Sequence, residues 1–421
     1  MFYADLHIHS KFSRATSKDM TLETIHQWAQ LKGIKLIGTG DFTHPEWLKE
    51  IEKKLNEEGN GLLTLKKQYC LDVPDSCKQE IFFILSSEIS CIYQKNGKLR
   101  KIHLLILSPS TKDVTKINYT LSQIGSLGSD GRPIIGMDAK EVMKIILEIS
   151  PSSMIIPAHA WTPHFSVFGS QSGFDSLSEC FEELTPYIYA IETGLSSDPP
   201  MNWRLSELDR VVLVSNSDAH SPAKIGREAN IFDIEINYNA ISEAIKTRKG
   251  FLGTVEFFPE EGKYHYDGHR SCGVRLSPKE TIKRNYLCPV CGKKVTVGVM
   301  HRVELLSDRP EEFKPDGALP FKSIIPLPEI ISEIKKCSVQ SKSVFDTYMK
   351  ALYKIGSEYD ILLKKNLLDI EKFDSKLAEA IKRMREGKVY VEPGYDGEYG
   401  KVKVFGEQSE TSIKGQTLLF R

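Results

Sequence analysis

The hydrophobic positions of the chain form short, often β-branched runs, and most of these runs end in ionisable residues. The run 2–6 precedes His7 and His9, and the run 211–214 precedes Asp218. Amphipathic patterns with helical spacing separate several of the runs. Strands that alternate with helices favour a mostly parallel sheet with functional groups at the carboxyl ends of its strands. We therefore predict an α/β fold with a barrel-like domain of seven strands.

One connection departs from the parallel pattern. Asn96-Gly97 separates two apolar runs, and an Asn-Gly pair is a strong signal for a two-residue β-hairpin loop. With these residues in the loop, Glu88 lies opposite Leu105, and His103 lies diagonal to Glu88 on the same face. The pattern therefore predicts that Glu88 and His103 can contact one ion.

The chain has 421 residues and a mass of 47.6 kDa, which predicts two or three domains. Hydrophobic residues make up 40% and charged residues 27%, as in soluble globular proteins. The sequence contains neither an apolar run of the roughly 18 to 20 residues that a membrane helix needs nor the pattern of a secretory signal. We therefore expect a cytoplasmic protein without membrane contacts.

The net charge is zero, but the charges are unevenly distributed. Residues 263–302 carry nine Lys and Arg against two Asp and Glu, and residues 335–388 carry thirteen against eight. The rest of the chain is therefore acidic. Basic surfaces suit phosphate backbones, whereas acidic groups suit cations, and both can serve one substrate.

Histidines and carboxylates at the ends of predicted strands form the main candidate site. His7 and His9, like Asp218 and His220, are two residues apart, so each pair shares one face of a strand. For any single histidine, the alternative is an ordinary core or surface residue. As a set, these residues suit two or three ions of zinc or manganese, with magnesium as a further candidate. The predicted metal ligands are His7, His9, Asp41, His44, Glu88, His103, His159, Glu192, Asp218 and His220.

Six ordered motifs resemble the polymerase and histidinol phosphatase (PHP) domain family: D-L-H-I-H-S at 5–10, G-T-G-D-F-T-H at 38–44, S-S-E-I at 87–90, the strand that contains His103, P-A-H-A-W at 157–161 and S-N-S-D-A-H at 215–220. The resemblance implies a distorted seven-stranded barrel with up to three ions at its mouth. It places His7, His9, Glu88 and Asp218 around one ion, Glu88, His103 and His159 around a second, and His220 near a third.

The chain departs from this family at two places. Many members have Asp-His where this chain has Asp41-Phe42, and a further His near positions 13–15, where this chain has none. The third ion would then depend on Asp41 or His44, or bind weakly.

A second cluster has the spacing of a structural zinc site. An H-x-x-C knuckle and a C-x-x-C knuckle follow one another, and each closes with glycine. Four such ligands suit tetrahedral zinc without an open coordination position. The alternatives are unrelated cysteines, or His265 or His301 in place of the first histidine. The predicted ligands are His269, Cys272, Cys288 and Cys291.

These observations divide the chain into four parts. Residues 1–255 form the predicted metal-dependent catalytic domain, and residues 256–310 form the zinc-binding module. Residues 311–400 form a basic helical domain, and residues 401–421 a flexible tail.

The order of these parts, together with E-P-G-Y-D-G-E-Y-G at 392–400, resembles the endonuclease Q family over nearly the full chain. The resemblance implies a DNA repair endonuclease that uses metal-activated water to hydrolyse the phosphodiester bond 5′ to deaminated bases (uracil, hypoxanthine and xanthine) and abasic sites. The residues by themselves predict only metal-dependent phosphodiester hydrolysis on a nucleic acid. Two other classes remain open, a histidinol-phosphatase-like phosphoesterase for small molecules and a non-catalytic zinc-ribbon scaffold that binds DNA.

Particular residues are candidates for the chemistry and for DNA contacts. Among the ligands, Asp218 and His220 are the predicted catalytic residues, and Asp198, in the loop after Glu192, is a further candidate ligand or base. Aromatic residues near strand ends can contact an extruded base, although such residues more often serve packing. The predicted DNA-binding residues are Trp161, Phe165, Phe168, Trp203 and Arg204.

The last residues contain a Q-x-x-L-F pattern, formed by Gln416, Leu419 and Phe420. This pattern is similar to a peptide that binds a bacterial replication sliding clamp. The alternative is that these apolar side chains pack on the protein's own core. We expect clamp binding, because apolar residues in a polar tail favour a partner.

Overall fold

A computed structural model describes residues 1–406 together with the backbone of residues 411–412. The contacts divide the chain into two compact units. The first unit comprises residues 1–73, 78–194 and 210–255, and the second comprises residues 74–77, 195–209 and the chain from 256 onward.

The elements are numbered here in chain order. The strands are β1 (Phe2–Asp5), β2 (Leu36–Gly38), β3 (Leu55–Glu57), β4 (Leu63–Leu65), β5 (Phe82–Lys95), β6 (Lys98–Ser108), β7 (Ile134–Ile135), β8 (Met154–Pro157), β9 (Ala190–Glu192), β10 (Val212–Val214), β11 (Ala229–Phe232), β12 (Phe251–Glu256), β13 (Asp267–His269), β14 (Val274–Leu276), β15 (Phe321–Ser323), β16 (Lys388–Glu392), β17 (Lys401–Lys403) and β18 (Thr411–Ser412). The α-helices are α1 (Leu22–Lys32), α2 (Pro45–Lys54), α3 (Thr111–Ser122), α4 (Ala139–Ile149), α5 (Leu177–Phe181), α6 (Pro199–Trp203), α7 (Tyr238–Thr247), α8 (Pro278–Lys283), α9 (Val299–Leu306), α10 (Leu327–Lys335), α11 (Lys342–Ile355), α12 (Leu367–Glu371) and α13 (Ser375–Arg385).

The first unit is built on a mixed sheet. Its central order is β12-β11-β1-β2-β5, and β5 then pairs with β6, which pairs with β8. β1 pairs parallel to β2 and β2 parallel to β5, whereas the pairs β1-β11, β11-β12, β5-β6 and β6-β8 are antiparallel. The predicted α/β class is confirmed, but the sheet is mixed rather than mostly parallel.

The predicted closure into a seven-stranded barrel is not observed. Among the described residues, β9 and β10 form a separate parallel pair, and no ladder joins them to the main sheet. The segment after β10 contacts β1 and the residues that follow it through an isolated bridge between Ile8 and Ala219 and through side-chain hydrogen bonds, such as that from the Ser217 amide to Asp5. Closure depends on such long-range pairings, which local hydrophobic periodicity does not encode.

The β5-β6 hairpin has the predicted register. Glu88 pairs with Leu105, and the pairing continues to Lys95 and Lys98 at the turn. Asn96 and Gly97 have φ values of 54° and 72°, so both loop residues adopt the left-handed conformation that a type I′ turn requires. The turn chemistry therefore fixes which residues share the face of Glu88.

Helix α1 shows how the sequence positions the shell of this unit. The Thr21 hydroxyl accepts from the Thr24 amide as an N-cap, and Gly33 ends the helix in the left-handed conformation. Leu22 and Ile25 on its inner face are fully buried, which stabilises the fold by about 1.5 to 3 kcal/mol for each side chain.

The second unit combines short strands with helices. β13 and β14 form a hairpin that carries His269, and β16 pairs with β17 and β18. A π-helical turn spans Asp360–Lys364, and the Arg385 guanidinium donates to carbonyls of this turn. Because β17 pairs with β16, the start of the predicted flexible tail at 401–421 belongs to a sheet. No helix in the described part of the chain is long and apolar enough to cross a membrane.

Candidate metal centre

Imidazole nitrogens and carboxylate oxygens of the first unit converge beyond the ends of β1, β8 and β10 and on the β5-β6 hairpin. His9 Nε2 lies 3.0 Å from Asp218 Oδ1 and 3.3 Å from Glu88 Oε2. His7 Nε2 lies 3.8 Å from the same two oxygens. His7, His9 and Glu88 thus form one group that can hold a metal ion.

Two further carboxylates orient these histidines from behind. His7 Nδ1 lies 3.1 Å from both oxygens of Glu192, and His9 Nδ1 lies 3.0 Å from Asp41 Oδ1. A carboxylate on one ring nitrogen fixes the ring orientation and makes the other nitrogen a better metal ligand. Asp41 and Glu192, which we predicted to be ligands, contact the outer nitrogens of these histidines and lie outside the ligand groups of the described residues.

Glu88 joins the first group to a second one. Its Oε1 lies 2.6 Å from His103 Nδ1 and 2.9 Å from His159 Nε2, whereas its Oε2 faces His7 and His9. Glu88, His103 and His159 form a second group of ligand atoms within 4.8 Å of one another. Glu88 is thus placed to bridge two ions, as carboxylates do in two-metal hydrolytic sites.

A third group consists of His9, Asp218 and His220. The His220 Nδ1 donates to the backbone carbonyl of Asp218 at 2.8 Å, which leaves Nε2 of the neutral ring available. Because Asp41 occupies His9 Nδ1, the first and third groups share His9 Nε2, and one nitrogen binds only one ion.

The donor atoms fit divalent metal ions. His7 Nε2, His9 Nε2 and Asp218 Oδ1 are buried and have no hydrogen-bond partner among the described residues. Each such atom costs about 1 to 3 kcal/mol when it is unsatisfied. A cation would satisfy all three, and the mixture of imidazole and carboxylate ligands suits zinc or manganese.

The electrostatics of the site favour cations. Burial opposes ionisation of Glu88, but the charge of His103 and hydrogen bonds from His103, His159 and His7 lower its pKa well below the ordinary value. Burial lowers the pKa of His103 to about 4, against the attraction of Glu88. At neutral pH, Glu88 is therefore anionic and His103 is neutral, as metal ligands must be.

Three residues of the site adopt the left-handed backbone conformation. The φ values are 47° for Asp41, 30° for His159 and 47° for Asp218. Non-glycine residues rarely adopt this conformation, which costs about 1 to 3 kcal/mol for each residue. The surrounding fold therefore holds these side chains in place at a cost in stability, as functional sites often do.

Two other predicted residues lie outside these groups. His44 precedes α2 and stacks on Phe12 with ring centroids 4.3 Å apart, and it belongs to none of the ligand groups among the described residues. Asp198 belongs to the second unit, where its carboxylate caps α6 by accepting from the Met201 amide at 3.0 Å. Burial raises the pKa of Asp198 to about 6. Its place in the structure is that of a partly buried helix cap.

Most predicted DNA-binding aromatic residues are buried. Trp161 and Phe168 pack on each other with ring centroids 4.8 Å apart, and neither ring is exposed. Trp203 is 8% exposed and packs against Phe321. A buried ring has no face available for a nucleic-acid base, so these three residues serve packing. Sequence patterns identify aromatic residues near strand ends but not their burial.

Two predicted DNA-binding residues remain. Phe165 lies beside the second ligand group, with its ring centroid 4.7 Å from that of His103. Lys101 Nζ lies 5.1 Å from the Phe165 centroid. Arg204 is buried and pairs with Glu304 at 2.6 Å, so its charge is used inside the second unit. Phe165 is thus the aromatic candidate next to the metal centre.

The predicted histidine and cysteine cluster is assembled in the second unit. The ligand atoms of His269, Cys272, Cys288 and Cys291 lie within 4.8 Å of one another. Cys291 Sγ lies 3.5 Å from His269 Nδ1. The alternative histidines are engaged elsewhere, since His301 Nδ1 lies 2.7 Å from Asp267 and the His265 ring stacks on Tyr266.

Several residues that support the metal centre were missed by sequence reasoning. Asn216 donates to Glu192 at 2.8 Å, and Ser10 and Ser13 donate to Asp41. Arg132 Nη1 donates to Glu88 Oε2 at 3.0 Å. Serine, asparagine and a lone arginine in loops carry no local signal for such contacts, although Ser10 and Asn216 lie within the quoted motifs.

Comparison with known proteins finds two crystal structures that are similar over nearly the whole chain and one protein that is similar over part of it. The crystal structure of the lesion-specific endonuclease PfuEndoQ from Pyrococcus furiosus is 30% identical with a TM-score of 0.84, over 96% of this chain and 95% of that chain. A crystal structure of endonuclease Q in complex with a 27-mer duplex substrate with an abasic lesion at the active site is 30% identical with a TM-score of 0.81, over 96% of both chains. Protein MJ0043 of Methanocaldococcus jannaschii is 35% identical over 252 residues, which are 58% of this chain.

The profile of the MJ0043 C-terminal domain family also matches residues 326–388. The chain spans only 31% of the length of the M. jannaschii relative. The fold and the ligand groups define an α/β protein with groups of residues that can hold metal ions. The similarity to endonuclease Q over nearly the full length shows that the chain belongs to the endonuclease Q family of DNA endonucleases, as its motifs predicted.

Proposed function

We propose that this protein is a metal-dependent DNA repair endonuclease that hydrolyses the phosphodiester bond 5′ to a damaged nucleotide. The observation that carries this proposal is the placement of Glu88 between two histidine groups, the first of which has two inward nitrogen atoms, His7 Nε2 and His9 Nε2, without hydrogen-bond partners among the described residues. The relatives that cover nearly all of this chain include a lesion-specific endonuclease and an endonuclease bound to a duplex with an abasic lesion.

The first two ligand groups would hold two ions, zinc or manganese, with magnesium as a further candidate. Such ions lower the pKa of bound water and neutralise charge on a phosphate undergoing in-line displacement. The chain itself supplies orientation, because Asp41 and Glu192 fix the rings of His9 and His7. The buried setting strengthens the electrostatic interactions of these groups.

Asp218 and His220 are the proposed catalytic residues at the more open side of the centre. Their side chains are 24% and 31% exposed, whereas that of Glu88 is fully buried. His220 Nε2 either binds a third ion or accepts a proton, and the number of ions bound by the protein decides between the two. In the second case, it can return that proton to the leaving oxygen.

We propose abasic sites and the deaminated bases uracil, hypoxanthine and xanthine as the lesions. A base that is mispaired or absent costs least to move out of the stack, so damaged positions are the easiest ones to bring to a buried centre. Phe165 is placed beside His103 to contact the displaced nucleotide. In the second unit, His269, Cys272, Cys288 and Cys291 would bind one structural zinc.

The decisive experiment incubates the metal-loaded protein with matched duplexes that carry uracil, hypoxanthine, xanthine, an abasic site or no lesion. We expect one nick on the 5′ side of each lesion, loss of nicking after chelation and recovery with a transition metal. Phosphate release from sugar phosphates without nicking would instead support the small-molecule phosphoesterase. Binding without any cleavage would support the scaffold.

We further propose that Gln416, Leu419 and Phe420 bind a replication sliding clamp. These residues lie outside the part of the chain that the structure describes. Deletion of residues 416–421 should leave nicking of short duplexes unchanged and abolish clamp binding in a pull-down assay. A melting temperature lowered by several degrees would instead assign these residues to the fold.

A further inference from the structure

Arg132 brings a positive charge to the centre of the ligand groups. Its Nη1 donates to Glu88 Oε2 at 3.0 Å, which is the same oxygen that faces His7 and His9. The side chain is 23% exposed, whereas that of Glu88 is fully buried. Glu88 is the one hydrogen-bond partner of this side chain among the residues that the structure describes.

The loop that carries Arg132 is fixed at several points. The Arg132 amide donates to Asp130 Oδ1 at 3.0 Å, and the Ser90 amide donates to the Pro133 carbonyl at 3.0 Å. The following strand β7 pairs with β5 through Ser90 and Ile134, two residues beyond Glu88. The backbone of Arg132 is therefore held against the strand that carries the bridging carboxylate.

The neighbouring Gly131 shows how closely this loop approaches the site. A Cβ atom at Gly131 would lie 2.3 Å from both Asp41 Oδ2 and Ser13 Oγ. Only glycine fits at this position without displacing the carboxylate that orients His9. The loop thus belongs to the construction of the centre rather than to a free surface.

Glu88 balances the charge of Arg132 in this structure, but ions in the two ligand groups would draw on the same carboxylate. Arg132 lies next to two groups that would each hold a divalent cation, and like charges at such distances repel strongly in a buried site. An arginine has five N–H donors, and one bond to Glu88 leaves donors for a further acceptor. A phosphodiester brings a negative charge and two nonbridging oxygens, which match the planar guanidinium group.

We infer that Arg132 is a catalytic residue that donates to a nonbridging oxygen of the scissile phosphate. This inference rests on the proposed function. In the transition state, negative charge grows on those oxygens, and a donor fixed in advance stabilises it without reorganisation. Arg132 would thereby add a fixed positive charge of the protein beside the scissile phosphate.

The test compares Arg132→Ala and Arg132→Lys with the wild-type protein and with Arg210→Ala. Arg210 is an exposed arginine of the same unit whose side chain donates to the Ile188 carbonyl. Bound metal, affinity for a lesion duplex and the single-turnover nicking rate are measured for each protein. We expect Arg132→Ala to keep its metal and to lose about 100-fold to 1000-fold in rate. Arg132→Lys should recover part of the rate, and Arg210→Ala should behave as wild type.

A phosphorothioate substrate distinguishes two roles of Arg132: direct contact with the phosphate, and support of Glu88 alone. Sulfur at the contacted nonbridging oxygen should slow the wild type much more than Arg132→Ala, because the variant has no donor at that position. A normal rate in Arg132→Ala, or metal loss in it that fully accounts for the lower rate, would overturn this inference alone. Absence of nicking by the wild type would overturn the proposed function, and this inference with it.

Discussion

The two ligand clusters differ in how the chain assembles them. The metal centre of the first unit collects its ligands from residues far apart in sequence, for example His9, Glu88 and Asp218. The cluster of the second unit uses two short knuckles closed by Gly273 and Gly292, which both adopt the left-handed conformation. Long-range assembly yields a site whose geometry depends on the whole fold, whereas knuckles form locally around their metal.

The two clusters also differ in their donor atoms and in the exposure of their side chains. The first centre shares one carboxylate between two groups and keeps partly exposed side chains at Asp218 and His220. The second cluster offers four ligand atoms of nitrogen and sulfur, the number and type that suit tetrahedral zinc. We propose from this comparison that the first centre serves chemistry and the second serves stability, and four variants test this division.

Glu88→Gln should have the largest effect. Removing the bridging charge leaves both ligand groups without their shared carboxylate, so we expect loss of at least one ion and a nicking rate lowered by about 1000-fold or more. Nicking assays and metal analysis of the purified variant measure both effects. Glu46→Gln, on the exposed surface of α2, is the control, with normal activity expected. Full activity of Glu88→Gln would contradict the assignment of this centre.

Cys288→Ser should lower stability and leave the nicking chemistry intact, which is the opposite of the result expected for Glu88→Gln. Replacing one thiolate opens the tetrahedral cluster, and we expect loss of one zinc and several kcal/mol of stability of the second unit. Nicking per folded molecule should persist, although DNA affinity should fall. Cys70→Ser, at an exposed cysteine outside the cluster, serves as the control. Unchanged zinc content in Cys288→Ser would show that these residues do not form a metal site.

Asp41→Asn compares, within the first centre, a carboxylate that orients a histidine ring with the carboxylate that the ligand groups share. The asparagine keeps an oxygen near His9 Nδ1 but removes the charge that orients and polarises the ring. We expect metal affinity or activity to fall by about 10-fold to 100-fold, less than for Glu88→Gln. Metal titration of the apoprotein measures the change. An effect as large as that of Glu88→Gln would make Asp41 a direct ligand, as its sequence position suggested.

The parts of the centre that the sequence predicts are those set by local rules. The period of two along a strand places His7 beside His9, and the Asn96-Gly97 turn fixes the position of Glu88 relative to His103. These relations depend on a few neighbouring residues. They were therefore accessible without knowledge of the fold.

The remaining features depend on distant parts of the chain. Whether a carboxylate such as Glu192 binds a metal or a histidine ring is decided by a few ångströms, which residue type does not reveal. Closure of the barrel and the burial of Trp161 depend in the same way on packing between elements. Arg132 enters the centre through a loop whose position is set by pairing with β5.

Asp198→Asn should have the smallest effect on nicking. It tests the residue that the sequence analysis named as a candidate metal ligand or base. Burial raises the pKa of Asp198 to about 6 from an ordinary value of 3.8. The folded state therefore prefers the protonated form, and stability falls as the pH rises from about 4 through 6. The difference of about two pH units corresponds to about 1 to 3 kcal/mol lost above pH 7.

Asparagine removes this charge but remains a good N-cap for the Met201 amide. Asp198→Asn should therefore raise the melting temperature at pH 8 and change it little at pH 4.5, with nicking per folded molecule unchanged. Asp198→Ala is the matched control, because it removes both the charge and the cap. Since the charge of Asp198 contributes to raising the pKa of Glu260 to about 7, that pKa should also fall in the asparagine variant. A well-folded Asp198→Asn protein that no longer nicks DNA would return Asp198 to the catalytic residues and weaken the division between the two units.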